Sequence, residues 1–206
     1  MPKVKVPRKS TVIDMTAMCD VASLLLTFFI LTATARQPEP LPVDTPSSTV
    51  KVKVPDADIG TITVGKGKAF FGVKGQPIRV RMLEKMGERY KIQFTPEEKK
   101  RFSLMESFGV DIHQLKQLIA LSGDQRNKEG VQTGIPVDSV GRSASQLHDW
   151  IYEARVATKE VDDAAMRVSI KGDSKEEYPT IKKVIDILQV QKVNKFSLIT
   201  SLEALD

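Results

Sequence analysis

The chain has 206 residues, with 31 Lys and Arg against 26 Asp and Glu, for a net charge of +5. This length allows one ordinary domain, or one small domain plus a segment outside any core, and excludes a large multidomain enzyme. One cysteine excludes an intramolecular disulfide framework, and the two histidines have no cysteine nearby, so no metal site is expected.

The charge surplus is concentrated at the N-terminus. Residues 1–36 hold five bases and two acids, whereas the remaining 170 residues hold 26 bases and 24 acids, a surplus of +2. A nucleic-acid-binding domain is expected to carry its basic surplus on its folded part. The distribution therefore argues against a nucleic-acid partner.

The N-terminal region also contains a long apolar run. No Lys or Arg occurs between residues 10 and 35, and 14 of the 19 residues in 17–35 are apolar. As a helix these residues would span roughly 28 Å, which matches a bilayer hydrocarbon core of about 30 Å. The sequence predicts one transmembrane helix over residues 13–35, preceded by a basic tail of residues 1–12.

The charges that flank this run predict its orientation. Lys3, Lys5, Arg8 and Lys9 precede it, whereas Arg36 is the base that follows it closely. The positive-inside rule then places the tail in the cytoplasm and the rest of the chain outside the cytoplasmic membrane. A cleaved secretory signal remains the alternative, because a basic start, an apolar stretch and small residues at 33–35 are also typical of one. Residues 36–206 would then be a secreted binding module.

Asp20 is an acid inside the apolar run. A carboxylate in a spanning helix costs roughly 2.5–3.5 kcal/mol on insertion scales, and such acids usually face protein or water. At 100° per residue Thr16, Ser23 and Thr27 fall within the same arc of about 60° as Asp20. We call these four residues the polar stripe.

The polar stripe suggests a role in proton transfer. A carboxyl group can be neutral when it faces lipid and charged when it faces a hydrated partner, so Asp20 is a candidate proton carrier. One helix cannot enclose a proton path, so a partner membrane protein is implied. The alternative is that Ser and Thr bond back to their own helix and Asp20 caps a helix that begins later.

The rest of the chain indicates an α+β domain. Residues 36–49 contain four prolines and no glycine, which predicts an extended linker before a domain over residues 50–206. Strands are predicted at 50–54, 61–64 and 69–73, with a turn at residues 65–68 rather than a phosphate loop. Helices are predicted at 78–90, from a capping box at Thr95 to Gly109, at 111–121 and at 145–158. A closing strand, helix and strand at 166–170, 178–191 and 196–200 favours a parallel pair in a small mixed sheet.

Residues 13–32 closely resemble the start of the ExbD/TolR family of biopolymer transport proteins, in which a Thr precedes by four residues the acid that opens a Val/Leu-rich span. Residues 165–200 also resemble the closing strand–helix–strand unit of that family, with Tyr178 opening the helix. The proton-carrying aspartate of the family falls on Asp20 and its threonine on Thr16. Ala17 departs from the proline of many members, and about 87–163 is similar to an insertion in longer Bacteroidetes-type members.

The resemblance implies a single-pass inner-membrane subunit of a proton-motive-force-driven ExbB–ExbD-type motor that energises TonB-dependent outer-membrane transport. Its implied partners are an ExbB-like polytopic membrane protein, a second copy of the chain and a TonB-like periplasmic protein, besides membrane lipid. The proton is the coupling ion, no other cofactor is implied, and the chain would not be an enzyme. Thr16, Ser23 and Thr27 would line the proton path or hold hydrogen bonds of Asp20. A TolR-like subunit for envelope integrity that binds peptidoglycan is the alternative within the family.

The state of the mature N-terminus separates a membrane anchor from a secretory signal. We expect mass spectrometry of the mature protein to find residues 1–35 retained, because an N-region of about 20 residues ending in Asp20 is a poor signal sequence. A mature protein that starts at Arg36 would contradict both the anchor and the proton role of Asp20.

Overall fold

A computed structural model describes residues 15–32, 40–48, 58–138, 145–174, 176–193, 195–199 and 201–202. The chain divides into two compact units, Met1–Gln37 and Pro38–Asp206. In the first unit, helix α1 spans Met15–Thr32 and none of its residues is buried. Its 18 residues are long and apolar enough to cross a membrane, with a length of about 27 Å.

The second unit is built on a small mixed sheet. Strands β2 (Ile59–Gly65), β3 (Lys68–Val73), β4 (Arg167–Gly172) and β5 (Phe196–Ile199) have the order β3-β2-β4-β5. β2 pairs antiparallel with β3, and the pairs β2–β4 and β4–β5 are parallel. Two short strands, β1 (Ser47–Ser48) and β6 (Ser201–Leu202), form a separate parallel pair.

Six further helices complete the described part of this unit: α2 (Gln76–Tyr90), α3 (Pro96–Ser103), α4 (Leu115–Ala120), α5 (Gly123–Arg126), α6 (Gln146–Asp162) and α7 (Tyr178–Val190). Thr95 forms the predicted capping box, since its side chain accepts from the Glu98 N–H while the Glu98 carboxylate accepts from the Thr95 N–H. The predicted α+β class, with an N-terminal apolar helix and a small mixed sheet, is confirmed.

The predicted hairpin and the predicted parallel pair both form. Lys66 and Gly67 make the β2–β3 turn with φ of 52° and 69°, a left-handed pair of the kind found in tight hairpins. The Gly-Lys-Gly-Lys sequence is therefore a turn. β4 and β5, which flank α7, are parallel and place Ile170 opposite Leu198.

One face of the sheet carries the core. Ile62 lies opposite Phe71 on β3 and opposite Ile170 on β4, and all three are buried. Leu147, Trp150 and Ile151 of α6 belong to the same buried cluster, as the sequence predicts. Because α6 lies within residues 87–163, this stretch contributes directly to the core of the domain.

Two helices are shorter than predicted. α3 ends at Ser103 instead of Gly109, because the chain returns to the sheet edge, where Phe71 and Phe108 exchange backbone hydrogen bonds of 2.9 and 3.0 Å. Phe108 also packs on Trp150 with ring centroids 4.7 Å apart, so burial of the ring outweighs a longer helix. α4 begins at Leu115, because the Asp111 carboxylate accepts a 2.8 Å bond from the His113 N–H and holds a turn there.

Part of the predicted linker lies against the domain. Leu41 is 8% exposed, and the Asp44 carbonyl accepts a 2.8 Å bond from the Ser174 N–H. A Cβ added at Gly65 would come within 2.9 Å of Val43, which shows how closely this segment approaches β2. Residues 40–48 therefore do not act as a free spacer, which shortens the reach of about 45 Å that a fully extended linker would give. The predicted strand at 50–54 lies outside the described residues.

An ion cluster ties α2 to α6. Arg89 of α2 forms ion pairs of 2.9 Å with Asp149 and 2.8 Å with Glu153, and the Tyr90 hydroxyl donates a 2.8 Å bond to Asp149. Asp149 is 6% exposed. Burial and the bond to Asp149 raise the pKa of the Tyr90 phenol, so Tyr90 remains a donor throughout the physiological range.

Removing the shared acceptor of this cluster should destabilise the domain. We expect Asp149→Ala to lower the free energy of unfolding by about 2–3 kcal/mol, because it leaves the half-buried Tyr90 hydroxyl and one side of Arg89 without an acceptor. Asp138→Ala is the matched control, since Asp138 forms a 2.8 Å pair with Lys183 at the surface, and its loss should cost less than about 1 kcal/mol. Denaturant unfolding of the full chain measures both, and equal losses would contradict a structural role for the cluster.

Candidate functional site: the polar stripe of the anchor helix

Asp20 lies inside α1 and not at its start. The helix includes Met15, five residues before Asp20, so Asp20 is in the second helical turn. An N-cap residue precedes the first helical residue. The alternative in which Asp20 caps a helix that begins later is therefore wrong, and the acid needs another explanation.

The regular helix brings the polar stripe onto one side of the anchor. Thr16, Asp20, Ser23 and Thr27 follow one another at spacings of four, three and four residues, and all lie within Met15–Thr32. Residues at these spacings are neighbours along one side of a helix. All four are exposed, so the stripe is a surface that another molecule can cover. Thr34, which would extend the stripe, and Asp14 lie outside the described residues.

The Thr27 hydroxyl is bonded to its own helix. Its Oγ1 lies 2.9 Å from the Ser23 carbonyl oxygen and 3.0 Å from that of Leu24, and it donates to this pair. The alternative in which threonine bonds back to the helix therefore holds for this residue. The hydroxyl proton is engaged, but the oxygen keeps lone pairs that can accept from a protonated carboxyl group.

Thr32 provides a useful comparison within the same helix. Its Oγ1 donates to the Phe28 carbonyl oxygen at 2.8 Å, which is the same type of back-bond. At 100° per residue Thr32 lies about 120° away from Asp20 around the helix, outside the polar stripe. Two threonines in the same local geometry thus differ in which side of the helix they occupy.

Apart from Thr32, the α1 surface outside the polar stripe is largely apolar. Large side chains with more than half of their surface exposed cover it, among them Leu25, Leu26, Phe29 and Ile30. Such a continuous apolar surface requires lipid or protein contact. No Lys or Arg occurs in α1, so the helix itself supplies no cation to pair with Asp20.

The described residues contain no candidate metal-binding site. No group of three or more His, Cys, Asp or Glu side chains in that part of the chain is arranged to hold a metal ion. His148 lies with its Nδ1 3.3 Å from Asp149 Oδ1, inside the ion cluster that joins α2 and α6. His113 packs edge-on against Tyr90 at 6.3 Å, so both histidines have structural neighbours.

Sequence reasoning found the polar stripe but missed a buried arginine in the second unit, Pro38–Asp206. Arg79 of α2 is 9% exposed, and its Nε has no hydrogen-bond acceptor among the described residues. A signal was present, because Arg79, Met82, Leu83 and Met86 have the spacing of one apolar helix face. An arginine on such a face is an exception to the pattern.

An apolar helix with one interior acid, followed by a small mixed α+β domain, defines a class of single-helix anchored proteins. The family model described as Biopolymer transport protein ExbD/TolR matches residues 7–203, nearly the whole chain. The chain belongs to the ExbD/TolR family. No curated protein and no solved structure matches it. Members of this family are inner-membrane transport proteins that generally work with ExbB/TolQ-type membrane proteins and dimerise.

Proposed function

We propose that this chain is the ExbD-type subunit of a motor driven by the proton motive force, and that Asp20 carries the coupling proton. The observation that carries the proposal is the interior position of Asp20 on a predominantly apolar helix that has no base and no second acid. An acid in this setting is costly unless a partner receives it. Membership of a family of biopolymer transport proteins supports a role in transport.

The energetics of the membrane potential support a coupling role. Moving one elementary charge across 100 mV releases about 2.3 kcal/mol. A carboxyl group that takes up a proton on one side and releases it on the other can convert this free energy into movement. Thr16, Ser23 and Thr27 lie along the same side of α1 and can accept or donate hydrogen bonds to the two forms of Asp20.

An ExbB-like polytopic membrane protein is the partner that the stripe requires. The stripe is exposed along the helix, and one helix cannot surround it. A multi-helix partner would face Asp20 with polar groups or water while lipid contacts the apolar side of α1. The basic tail before α1 favours a cytoplasmic N-terminus and a periplasmic outer domain.

An edge of the sheet, as far as the structure describes it, favours a homodimer. Among the described strands β5 is the outer strand of the four-stranded sheet, and Phe196 and Leu198 are exposed on it. The neighbouring helix α7 exposes Tyr178 and Val190. Exposed apolar side chains along an outer strand and its neighbouring helix are a suitable surface for a second copy of the chain.

The test of the proton role compares three substitutions in α1. Asp20→Asn keeps the size and polarity of the side chain but removes the titratable proton, so we expect the complex to assemble and energised transport to be abolished. Thr27→Val should lower transport by less than about tenfold, because it removes one neutral hydrogen-bonding group. Thr32→Val removes the same hydroxyl outside the stripe and should leave transport unchanged.

Transport is measured as uptake through an outer-membrane receptor in cells that express each variant at equal levels. Co-purification of the ExbB-like partner reports assembly. Normal uptake by Asp20→Asn would overturn the proton role. A loss of uptake by Thr32→Val equal to that of Thr27→Val would show that position on the helix does not matter.

The choice of an ExbD-type over a TolR-type role rests on the client of the outer domain. We expect the full chain in detergent to co-purify with a TonB-type periplasmic protein and not to sediment with purified peptidoglycan. Sedimentation with peptidoglycan without capture of the TonB-type protein would assign the TolR-like role in envelope integrity. The proton role of Asp20 is tested separately by the substitutions in α1.

A further inference from the structure

β3 places an uncharged, apolar segment at one edge of the four-stranded sheet. The order β3-β2-β4-β5 makes β3 an outer strand among the described strands, and its residues 69–73 read Ala-Phe-Phe-Gly-Val, without a charge or a proline. Short uncharged segments of high β propensity pair readily with strands of other molecules when their edge is exposed. An unprotected β3 would therefore be a site of strand addition.

Two loops cover this edge with backbone hydrogen bonds. Phe71 and Phe108 exchange bonds of 2.9 and 3.0 Å, and the Ala69 carbonyl accepts a 2.8 Å bond from the Ile135 N–H. Because backbone groups alternate in direction along an antiparallel strand, those of residues 69 and 71 both face away from β2. We call residues 106–110 and 132–135 together the strap. The strap thus occupies positions at which another strand would pair with β3.

The strap is also fixed to the domain by its side chains. Phe108, Val110 and Ile135 are each no more than 3% exposed and belong to the buried core cluster. The buried Gln132 side chain links the two loops, because its Oε1 accepts a 2.7 Å bond from the Gly109 N–H. The two loops therefore form one unit that is held against the sheet.

The strap lies so close to β3 that side chains would not fit at two of the contacts. A Cβ added at Gly72 of β3 would clash with the Glu106 carbonyl oxygen. Gly134 of the strap has φ of 95°, and a Cβ there would lie 3.0 Å from the Lys68 Cβ. Glycine is therefore used on both sides of the contact, where it permits the close approach of two backbones.

We propose that the strap is an edge cap, which blocks strand addition at β3 by a second copy of this chain or by an extended segment of another protein. Covering an outer strand with a loop is one way in which sheets avoid pairing with other molecules. The cap matters most in a chain that dimerises, because a second open edge would allow a closed complex to grow into an open-ended one. The cap is independent of proton transfer by Asp20, so either proposal can fail without the other.

The experiment pushes the strap away from β3 with one methyl group. Gly134→Ala adds a Cβ beside Lys68. Gly130→Ala is the matched control, because Gly130 has a similar φ of 89°, but a Cβ there meets none of the described residues within 4 Å. Both variants carry similar backbone strain, and only the first acts on the contact between the strap and the strand.

Two measurements on the full chain in nonionic detergent report the opening and its consequence. Amide hydrogen exchange of Phe71 and Ile135 should be at least about tenfold faster in Gly134→Ala than in Gly130→Ala, because these amides join the strap and the strand. In sedimentation velocity at rising protein concentration, Gly134→Ala should form complexes larger than those of the unmodified chain. Gly130→Ala should not.

A peptide tests the β3 edge directly. A fluorescein-labelled octapeptide with the sequence of residues 104–111 should bind Gly134→Ala at least about tenfold more tightly than the unmodified chain by fluorescence anisotropy, because the accessible edge is more populated in the variant. The same peptide with Phe108→Pro lacks the N–H that pairs with the Phe71 carbonyl and should not bind. If Gly134→Ala does not fold, Gln132→Ala takes its place, since it removes the bond to Gly109 without adding an atom to the contact.

The edge cap is refuted if the unmodified chain binds the octapeptide as tightly as Gly134→Ala does, because the β3 edge would then be accessible already. A variant whose Phe71 amide exchanges faster, yet which neither forms larger complexes nor binds the peptide, would also refute it. Equal growth of complexes in Gly130→Ala would contradict the proposal as well, because the association would then follow from backbone strain and not from the exposed strand.

Discussion

The constraint on which the molecule depends is the cost of a carboxyl group inside an apolar helix. α1 has the length of a hydrocarbon core, carries no base and buries none of its own residues, yet includes Asp20 in its second turn. Insertion without a partner costs roughly 2.5–3.5 kcal/mol for the acid, so a neighbouring protein that solvates Asp20 gains a corresponding advantage over lipid. The sequence of α1 therefore favours contact with another protein as well as insertion into a membrane.

The second unit, Pro38–Asp206, is a folded domain built on a small sheet. Its four-stranded sheet places the core on one face, and in this core Trp150 of α6 packs against Phe102 and Phe108. Arg89 then joins α2 to α6 through two buried acids, Asp149 and Glu153. A domain joined in this way resists local deformation, because its interior is close-packed.

Local sequence signals predicted most elements whose causes are local. The capping box at Thr95 and the hairpin turn each depend on residues within a few positions of one another, and each forms. The strand–helix–strand unit at the C-terminus also forms, because a crossover of this length favours a parallel pair. The ends of α3 and α4 were predicted less well, because contacts distant in sequence decide them, such as the backbone pair between Phe71 and Phe108. The packing of Leu41 on the domain is another such contact, since proline content predicts an extended backbone but not what it touches.

Asp20 and Arg79 share one physical property, which is a charge at a helix position where the pattern favours an apolar residue. Asp20 interrupts the apolar run of α1, and Arg79 lies on the apolar face of α2. Asp20 is easier to recognise from sequence, because any acid is conspicuous in a membrane segment. The signal at Arg79 is only its spacing from Met82, Leu83 and Met86. Because Arg79 is buried and its Nε has no acceptor among the described residues, this departure from the apolar pattern lowers the stability of the fold. Residues that break the local rules of folding in this way are expected where function, and not stability, determines the side chain.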